Sequence, residues 1–142
     1  MAGARILLAD DELSIRDTYA ELLMQAGHSV DTAGDGDEVL AKVRSVPYEL
    51  LLTDLIFPPT DGITVLKRVK QIRPSMLVVL FSGHATVDNV LAAFRGGAYD
   101  FLEKPVPAER LEELAARALD IREMGDRRRR MAEDLENERL KV

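Results

Sequence analysis

The chain has no cysteine, no tryptophan, only two histidines and 5% aromatic residues. Without cysteine there is no disulfide framework, no thiolate zinc site and no thiol nucleophile. His28 and His84 are too few and too far apart for a His-x-x-x-His metal helix. The longest clean apolar run covers residues 76–81, where a membrane span needs about 18. The N-terminal stretch offers one Arg, four apolar residues and then acids, which does not compose a secretory signal. A soluble, cytoplasmic protein is expected, with no membrane contact. An excess of positive charge is also missing: 19 basic against 25 acidic side chains leave a net charge of −6. That balance argues against a general phosphate-backbone binder.

What is present is 142 residues, 46% apolar and 31% charged, richer in charge than the ~25% of an ordinary globular domain. The first hundred residues alternate between two periods. Ile6-Leu7-Leu8-Ala9 is a short continuous apolar run, read as a buried strand. Ile15, Tyr19, Leu22, Leu23 and Ala26 then share a helical face, with Gly27 as a stop. Val30 to Ala33 reads as a weaker strand, and Gly34-Asp35-Gly36-Asp37 as a turn. Val39, Leu40, Val43 and Val46 mark a second helix. Leu50-Leu51-Leu52-Thr53 is a third strand ending at Asp54. Phe57-Pro58-Pro59-Thr60-Asp61-Gly62 is too punctuated for regular structure. Ile63, Leu66, Val69 and Ile72 make a third helix, residues 76–81 a fourth strand, and Val87, Val90, Leu91 and Phe94 a fourth helical face. Residues 99–102 form a fifth short strand before Lys104-Pro105.

Strands alternating with helices imply parallel βαβ units with right-handed crossovers. The expected fold is α/β: a doubly wound, five-stranded parallel sheet of flavodoxin-like order 2-1-3-4-5, with ligands beyond the C-terminal strand ends. Residues 107–142 behave differently, with no Gly or Pro after Pro107 except Gly125. Leu111, Leu114, Ala115, Ala118 and Leu119 can pack on the sheet. Beyond them Met124, Met131, Leu135 and Val142 fall at heptad-like spacing, with Arg128 and Glu138 at the alternate seam positions. The chain therefore divides into a domain over residues 1–119 and a linker helix over 120–142, a possible coiled coil. Glu113–Arg117, Glu123–Arg127 and Asp126–Arg130 are favourable i,i+4 pairs. The four arginines at 127–130 are followed at once by Glu133, Asp134, Glu136 and Glu138. A solvated helical face is the expected reading there, not a nucleic-acid patch.

The chemistry rests on where polar residues interrupt the pattern. Asp10 and Asp11 sit just past the first strand, Asp54 ends the third, Ser82 ends the fourth and Lys104 follows the fifth. The predicted topology brings all five to one edge of the sheet. Three carboxylates that close repel strongly and stay ionised only around a cation. All-oxygen ligands suit Mg²⁺, which keeps waters and completes its shell with phosphate. With one lysine and one hydroxyl facing the same point, this is the composition of a phosphoryl-transfer site, where a carboxylate can be captured as an aspartyl-phosphate. A flavin carrier would need phosphate-binding donors after strand 1, where this chain has acids. A haloacid-dehalogenase-type phosphatase needs an Asp-x-Asp pair on strand 1, where these acids are adjacent.

In these motifs the sequence resembles the receiver domain of bacterial two-component response regulators, over about residues 5–119. The carriers are Ile6-Leu7-Leu8-Ala9-Asp10-Asp11-Glu12, Asp54 through Asp61-Gly62, Ser82-Gly83-His84-Ala85, and Gly97-Ala98-Tyr99-Asp100-Phe101-Leu102-Glu103-Lys104-Pro105. The last stretch is similar to receivers that precede an ATPase domain in transcriptional activators. The resemblance implies that Asp54 accepts the phosphoryl group, and that Asp11, Asp54 and the Ile56 carbonyl hold Mg²⁺, with Asp10 acting through water. It implies that Lys104 and Ser82 contact the phosphoryl group, that Phe101 is a switch aromatic, and that the Lys104–Pro105 bond is cis. A histidine kinase or phosphotransfer protein would be the partner, phosphorylation would change the helix 4–strand 5–helix 5 face, and the C-terminal helix would join a homodimer. The chain would be no enzyme beyond assisting its own phosphoryl transfer, and would not itself bind nucleic acid. The alternative is a constitutive dimerising adaptor on the same fold. Phe57-Pro58-Pro59-Thr60 departs from the usual Met-Pro-Gly-Met of the acceptor loop. Ile56 and His84 occupy positions tied in the family to autodephosphorylation rate.

Overall fold

The computed structural model describes residues 3–56 and 58–141. Phe57 in the acceptor loop and Val142 at the end of the heptad-like series lie outside the described residues. The elements run β1 (Arg5–Ala9), α1 (Leu13–Gln25), β2 (Ser29–Ala33), α2 (Gly36–Ser45), β3 (Leu50–Asp54), α3 (Gly62–Ile72), β4 (Leu77–Ser82), α4 (Val87–Arg95), β5 (Asp100–Glu103) and α5 (Ala108–Leu140). All strand pairs are parallel, in the order β2-β1-β3-β4-β5. This is the expected doubly wound sheet.

Alternation along each central strand divides the core into two layers. Ile6, Leu8, Leu50, Leu52, Val79 and Phe81 face α1 and α5, where they meet Tyr19, Leu23, Leu111 and Ala115. Leu7, Leu51, Val78 and Leu80 face the other way, toward Val39 and Val43 of α2 and Val65, Leu66 and Val69 of α3. The three central strands are buried on both sides, which is why they read as unbroken apolar runs.

Local chemistry sets the helix ends. Asp35, Asp61 and Thr86 each accept a backbone N–H of the first turn, from Glu38, Thr64 and Asn89. Gly36 already belongs to α2, so the turn read at Gly34-Asp35-Gly36-Asp37 is half helix: Asp35 caps it sooner than the glycines suggested. After α1, Gly27 takes φ 98°, a left-handed conformation that favours glycine.

The helical face read at Val87, Val90, Leu91 and Phe94 is largely exposed. Val87 is 74% exposed, Leu91 43% and Phe94 46%, and the α4 residue that packs inward is Ala93. With Tyr99 at 41% they leave apolar surface on the outside of the α4–β5 edge. The i,i+4 pairs read in α5 are replaced by i,i+3 ones: Arg110 with Glu113, and Arg129 with Asp126.

His28 is half-buried, and its Nδ1 accepts the Ala4 N–H at 2.9 Å. Burial holds its pKa below the ordinary 6.5, against the opposing pull of Glu112. Neutral His28 thus contributes stability that is full above the unfolded value and lost as pH falls through the lower folded one. His28→Ala should flatten the fall in unfolding midpoint between about pH 7 and 5, as followed by circular dichroism.

Candidate functional site

The C-terminal ends of β1, β3 and β4 and the residue after β5 converge as the topology requires. Asp10 follows β1 and is fully buried, while Asp11 beside it is exposed. Asp54 closes β3 and is 7% exposed. Carboxylate oxygens of Asp10, Asp11 and Asp54 lie within 4.8 Å of one another. Neither Asp10 nor Asp11 is the N-cap of α1: that position belongs to Glu12, whose side chain makes no capping bond. Asp10 instead accepts the Glu12 N–H with Oδ1 at 2.9 Å and meets Lys104 with Oδ2.

Lys104 is the cation of the site. Its Nζ donates to Asp10 Oδ2 at 2.8 Å and to Asp54 Oδ2 at 3.0 Å. Burial disfavours the ammonium, but the two carboxylates outweigh it and raise the Lys104 pKa. The Asp54 carboxyl is raised by burial, with Asp10 adding to the rise and Lys104 opposing it. One positive charge facing three carboxylates leaves the site short of cation by two charges. That deficit and the all-oxygen donor set fit a hard divalent ion such as Mg²⁺.

Lys104 is aimed by residues with no obvious polar role. Its Nζ lies 4.9 Å from the Phe81 ring centroid. Tyr19 packs edge-on to Phe81 at 5.9 Å, and its hydroxyl accepts the Val106 N–H just past Lys104-Pro105. Arg16 of α1 donates to the Asp10 carbonyl at 3.1 Å. Phe81, Tyr19 and Arg16 read as strand or helix residues in the sequence, because their contacts with the site cross between elements. Only a buried tyrosine hydroxyl, which must find a partner, could have hinted at one of them.

Ser82 is 1% exposed, and its Oγ accepts the His84 N–H at 3.0 Å. The Ser82 carbonyl accepts the Lys104 N–H at 2.9 Å, tying the ends of β4 and β5 together. Ile56 gives its N–H to Asp54 Oδ1 at 3.2 Å and leaves its side chain 51% exposed. Phe101 is half-buried, packed on the core layer beneath α2 and α3. Both Pro58–Pro59 and Lys104–Pro105 are cis; the second was expected and the first was not.

The acceptor loop closes on Gly62. A Cβ there would lie 2.5 Å from the Asp54 carbonyl oxygen and 2.8 Å from Leu55 Cα, both backbone. Gly62→Ala should push Asp54 out of register and cost about 1–3 kcal/mol, read as a lower urea midpoint together with weaker Mg²⁺ binding.

The sequence matches the response regulator receiver domain family over residues 6–116. The chain belongs to that family. It is 38% identical over 117 residues to the nitrogen assimilation regulatory protein NtrX of Azorhizobium caulinodans, covering 81% of this chain and 26% of that protein. It is 34% identical over 114 residues to the DNA-binding transcriptional regulator NtrC of Salmonella typhimurium, covering 80% and 24%. Among solved structures, a receiver domain protein from Methanospirillum hungatei superposes with a TM-score of 0.83 at 30% identity, covering 87% of this chain and 99% of that one. The receiver domain of Brucella abortus NtrX gives 0.76 at 40%, covering 81% and 98%. This receiver spans about a quarter of the length of those two regulators. Receiver domains are phosphoacceptor signalling domains of two-component systems, bind Mg²⁺ through acidic residues and interact with histidine kinases. The Asp10, Asp11 and Asp54 cluster has the composition that such a metal site requires.

Proposed function

We propose that this receiver is a phosphorylation-dependent switch in which Asp54 accepts a phosphoryl group from a histidine kinase or phosphotransfer protein. The observation that carries this is Lys104 Nζ held between Asp10 and Asp54 at 2.8 and 3.0 Å, beside the three-aspartate cluster. An Asp54 oxygen attacks phosphorus and forms the new P–O bond. The donor's P–N bond breaks, and its electron pair returns to the imidazole nitrogen. Lys104 then follows the charge from the carboxylate to the phosphoryl oxygens. Asp11, Asp54 and the Ile56 carbonyl would hold Mg²⁺ directly and Asp10 through water, and the ion would supply charge to offset that of carboxylates and phosphoryl oxygens.

Ser82 Oγ turns from the His84 N–H to a phosphoryl oxygen, freeing the loop before α4, and Phe101 repacks. The surface affected is α4–β5–α5, where Val87, Leu91, Phe94 and Tyr99 are already exposed as apolar groups in want of a partner. Phosphorylation biases a pre-existing equilibrium of that face. Residues 1–119 are the switch and 120–142 a linker helix toward an output domain. The chain's net charge of −6 argues against direct nucleic-acid binding by it. Among the described residues no helix is long and apolar enough to cross a membrane.

The test is incubation with acetyl phosphate followed by intact mass. Wild-type chain should gain one phosphoryl group with Mg²⁺ and none with excess EDTA. Equal labelling in both would remove the metal from the account.

A second reading is favoured by one observation. Met131 is 64% exposed and Leu135 70%, on a helix extending well past the sheet. These residues fit pairing of two copies through α5, with or without switching. Sedimentation of residues 1–142 beside 1–119 should show a dimer only for the longer chain.

A further inference from the structure

A lysine ammonium rides on a flexible four-carbon stem and has three protons to place. At Lys104 two of them go to oxygen, Asp10 Oδ2 at 2.8 Å and Asp54 Oδ2 at 3.0 Å. No further acceptor takes the third among the described residues. Nζ instead stands over the Phe81 ring, 4.9 Å from its centroid, inside the roughly 6 Å over which a ring face attracts a cation.

The pleat accounts for this placement. Phe81 on β4 has Asp54 of β3 as its register partner on one side and Leu102 of β5 on the other. Lys104 comes two residues after Leu102, which returns it to the same face of the sheet. Phe81 is buried, so the ring face it offers is dry, where attraction for a cation is strongest. Tyr19 of α1 packs edge-on to Phe81 at 5.9 Å, and its hydroxyl accepts the N–H of Val106, two residues past Lys104. One side chain thus steadies both the ring and the turn that carries the lysine.

The carboxylates cannot do this work alone. An Asp54 oxygen is the one that bonds to phosphorus, and the same acidic cluster fits a divalent ion. Each of these weakens the pull of the carboxylates on the ammonium at the moment phosphoryl oxygens need a cation. The Phe81 ring binds neither metal nor phosphorus, so its hold has no competitor. We infer that Phe81 is a positioning residue for phosphoryl uptake, its ring face keeping the Lys104 ammonium at the site while Asp10 and Asp54 are engaged elsewhere, with Tyr19 fixing the ring. The inference rests on the reading of Asp54 as phosphoacceptor and adds the group that retains the cation. The ammonium moves only from an Asp54 oxygen to an oxygen of the phosphoryl group bonded to it, so the ring contact persists through the transfer. An aliphatic side chain of the same bulk would fill the layer and offer no negative face.

Phenylalanines carrying one, two and three ring fluorines at position 81 test this. Fluorine draws electron density off the ring face and changes its shape little, so the series loosens the hold on a cation and leaves the layer filled. The rate of labelling by acetyl phosphate at saturating Mg²⁺ should fall stepwise, by about threefold to tenfold at three fluorines. The Mg²⁺ Kd, read by calorimetry, should not rise, because a looser ammonium yields the carboxylates more readily. A rate that stays constant along the series, or one that falls only together with weaker Mg²⁺ binding, overturns the positioning role. Tyr19→Phe keeps the ring and loses the hydroxyl. It should slow labelling about threefold, again without raising the Mg²⁺ Kd, and an unchanged rate removes Tyr19 from the arrangement. Wild-type labelling matched by the trifluorinated chain overturns the role of Phe81 and leaves the acceptor in place. A wild-type chain that takes no label overturns the acceptor reading and this inference with it.

Discussion

Lys104→Met is expected to cost about 3 kcal/mol of stability in metal-free buffer and to slow phosphoryl uptake about 100-fold or more. The stability loss follows from burial. Asp10 is fully buried and Asp54 nearly so, and the Lys104 ammonium is the cation that joins them. Removing it leaves two carboxylates facing each other without a counter-charge, the costly way to break a buried ion pair. Met keeps most of the side-chain volume and the packing against Phe81, so the loss reports charge rather than a cavity. Mg²⁺ held by the same acidic cluster would return much of the lost stability by mass action. Denaturant midpoints of wild type and variant, each with EDTA and with saturating Mg²⁺, check this. The gap should narrow with the metal. A variant as stable as wild type in EDTA would mean that the contacts at 2.8 and 3.0 Å carry no weight.

Asp54→Ala should abolish labelling by acetyl phosphate while leaving the chain at least as stable as wild type. The two outcomes have one cause. Burial and Asp10 disfavour the ionised Asp54 carboxylate in the fold, so its removal relieves repulsion. Lys104 keeps Asp10 as its partner at 2.8 Å and is not stranded. Intact mass gives the first result and thermal unfolding the second. Labelling that persists in the variant would move the acceptor elsewhere, with Asp11 as the exposed candidate.

Much of the fold was legible because parallel central strands must be apolar on both faces. Leu50-Leu51-Leu52 and residues 77–81 could hardly be anything else. Strand ends shifted by one residue: β4 starts at Leu77 rather than Met76, and β5 at Asp100 rather than Tyr99. Hydrophobicity does not mark where the hydrogen-bonded ladder starts, and Met76 is buried without belonging to it. At α4 periodicity marked an amphipathic helix, and it does not report which side meets the core. Val87, Leu91 and Phe94 have the right spacing and the wrong neighbours.

The site was legible for a different reason. Chain polarity puts every C-terminal strand end on one edge, so Asp10, Asp54, Ser82 and Lys104 were bound to meet there once five parallel strands were read. What could not be read were contacts made across elements. Phe81 under Lys104, Tyr19 against Phe81 and Arg16 on the Asp10 carbonyl depend on distances that no single-chain periodicity encodes. The present partner of Ser82, the His84 N–H, is likewise a matter of loop geometry.

Chemistry at Asp54 should be coupled to the α4–β5 surface. The direct measurement is a backbone amide spectrum of the labelled chain before and after beryllofluoride with Mg²⁺. The account predicts shifts at residues 54–56, at Ser82 and His84, and onward through α4 to Phe101, all absent in Asp54→Ala. Shifts confined to the acceptor loop, or the same shifts in Asp54→Ala, would contradict it.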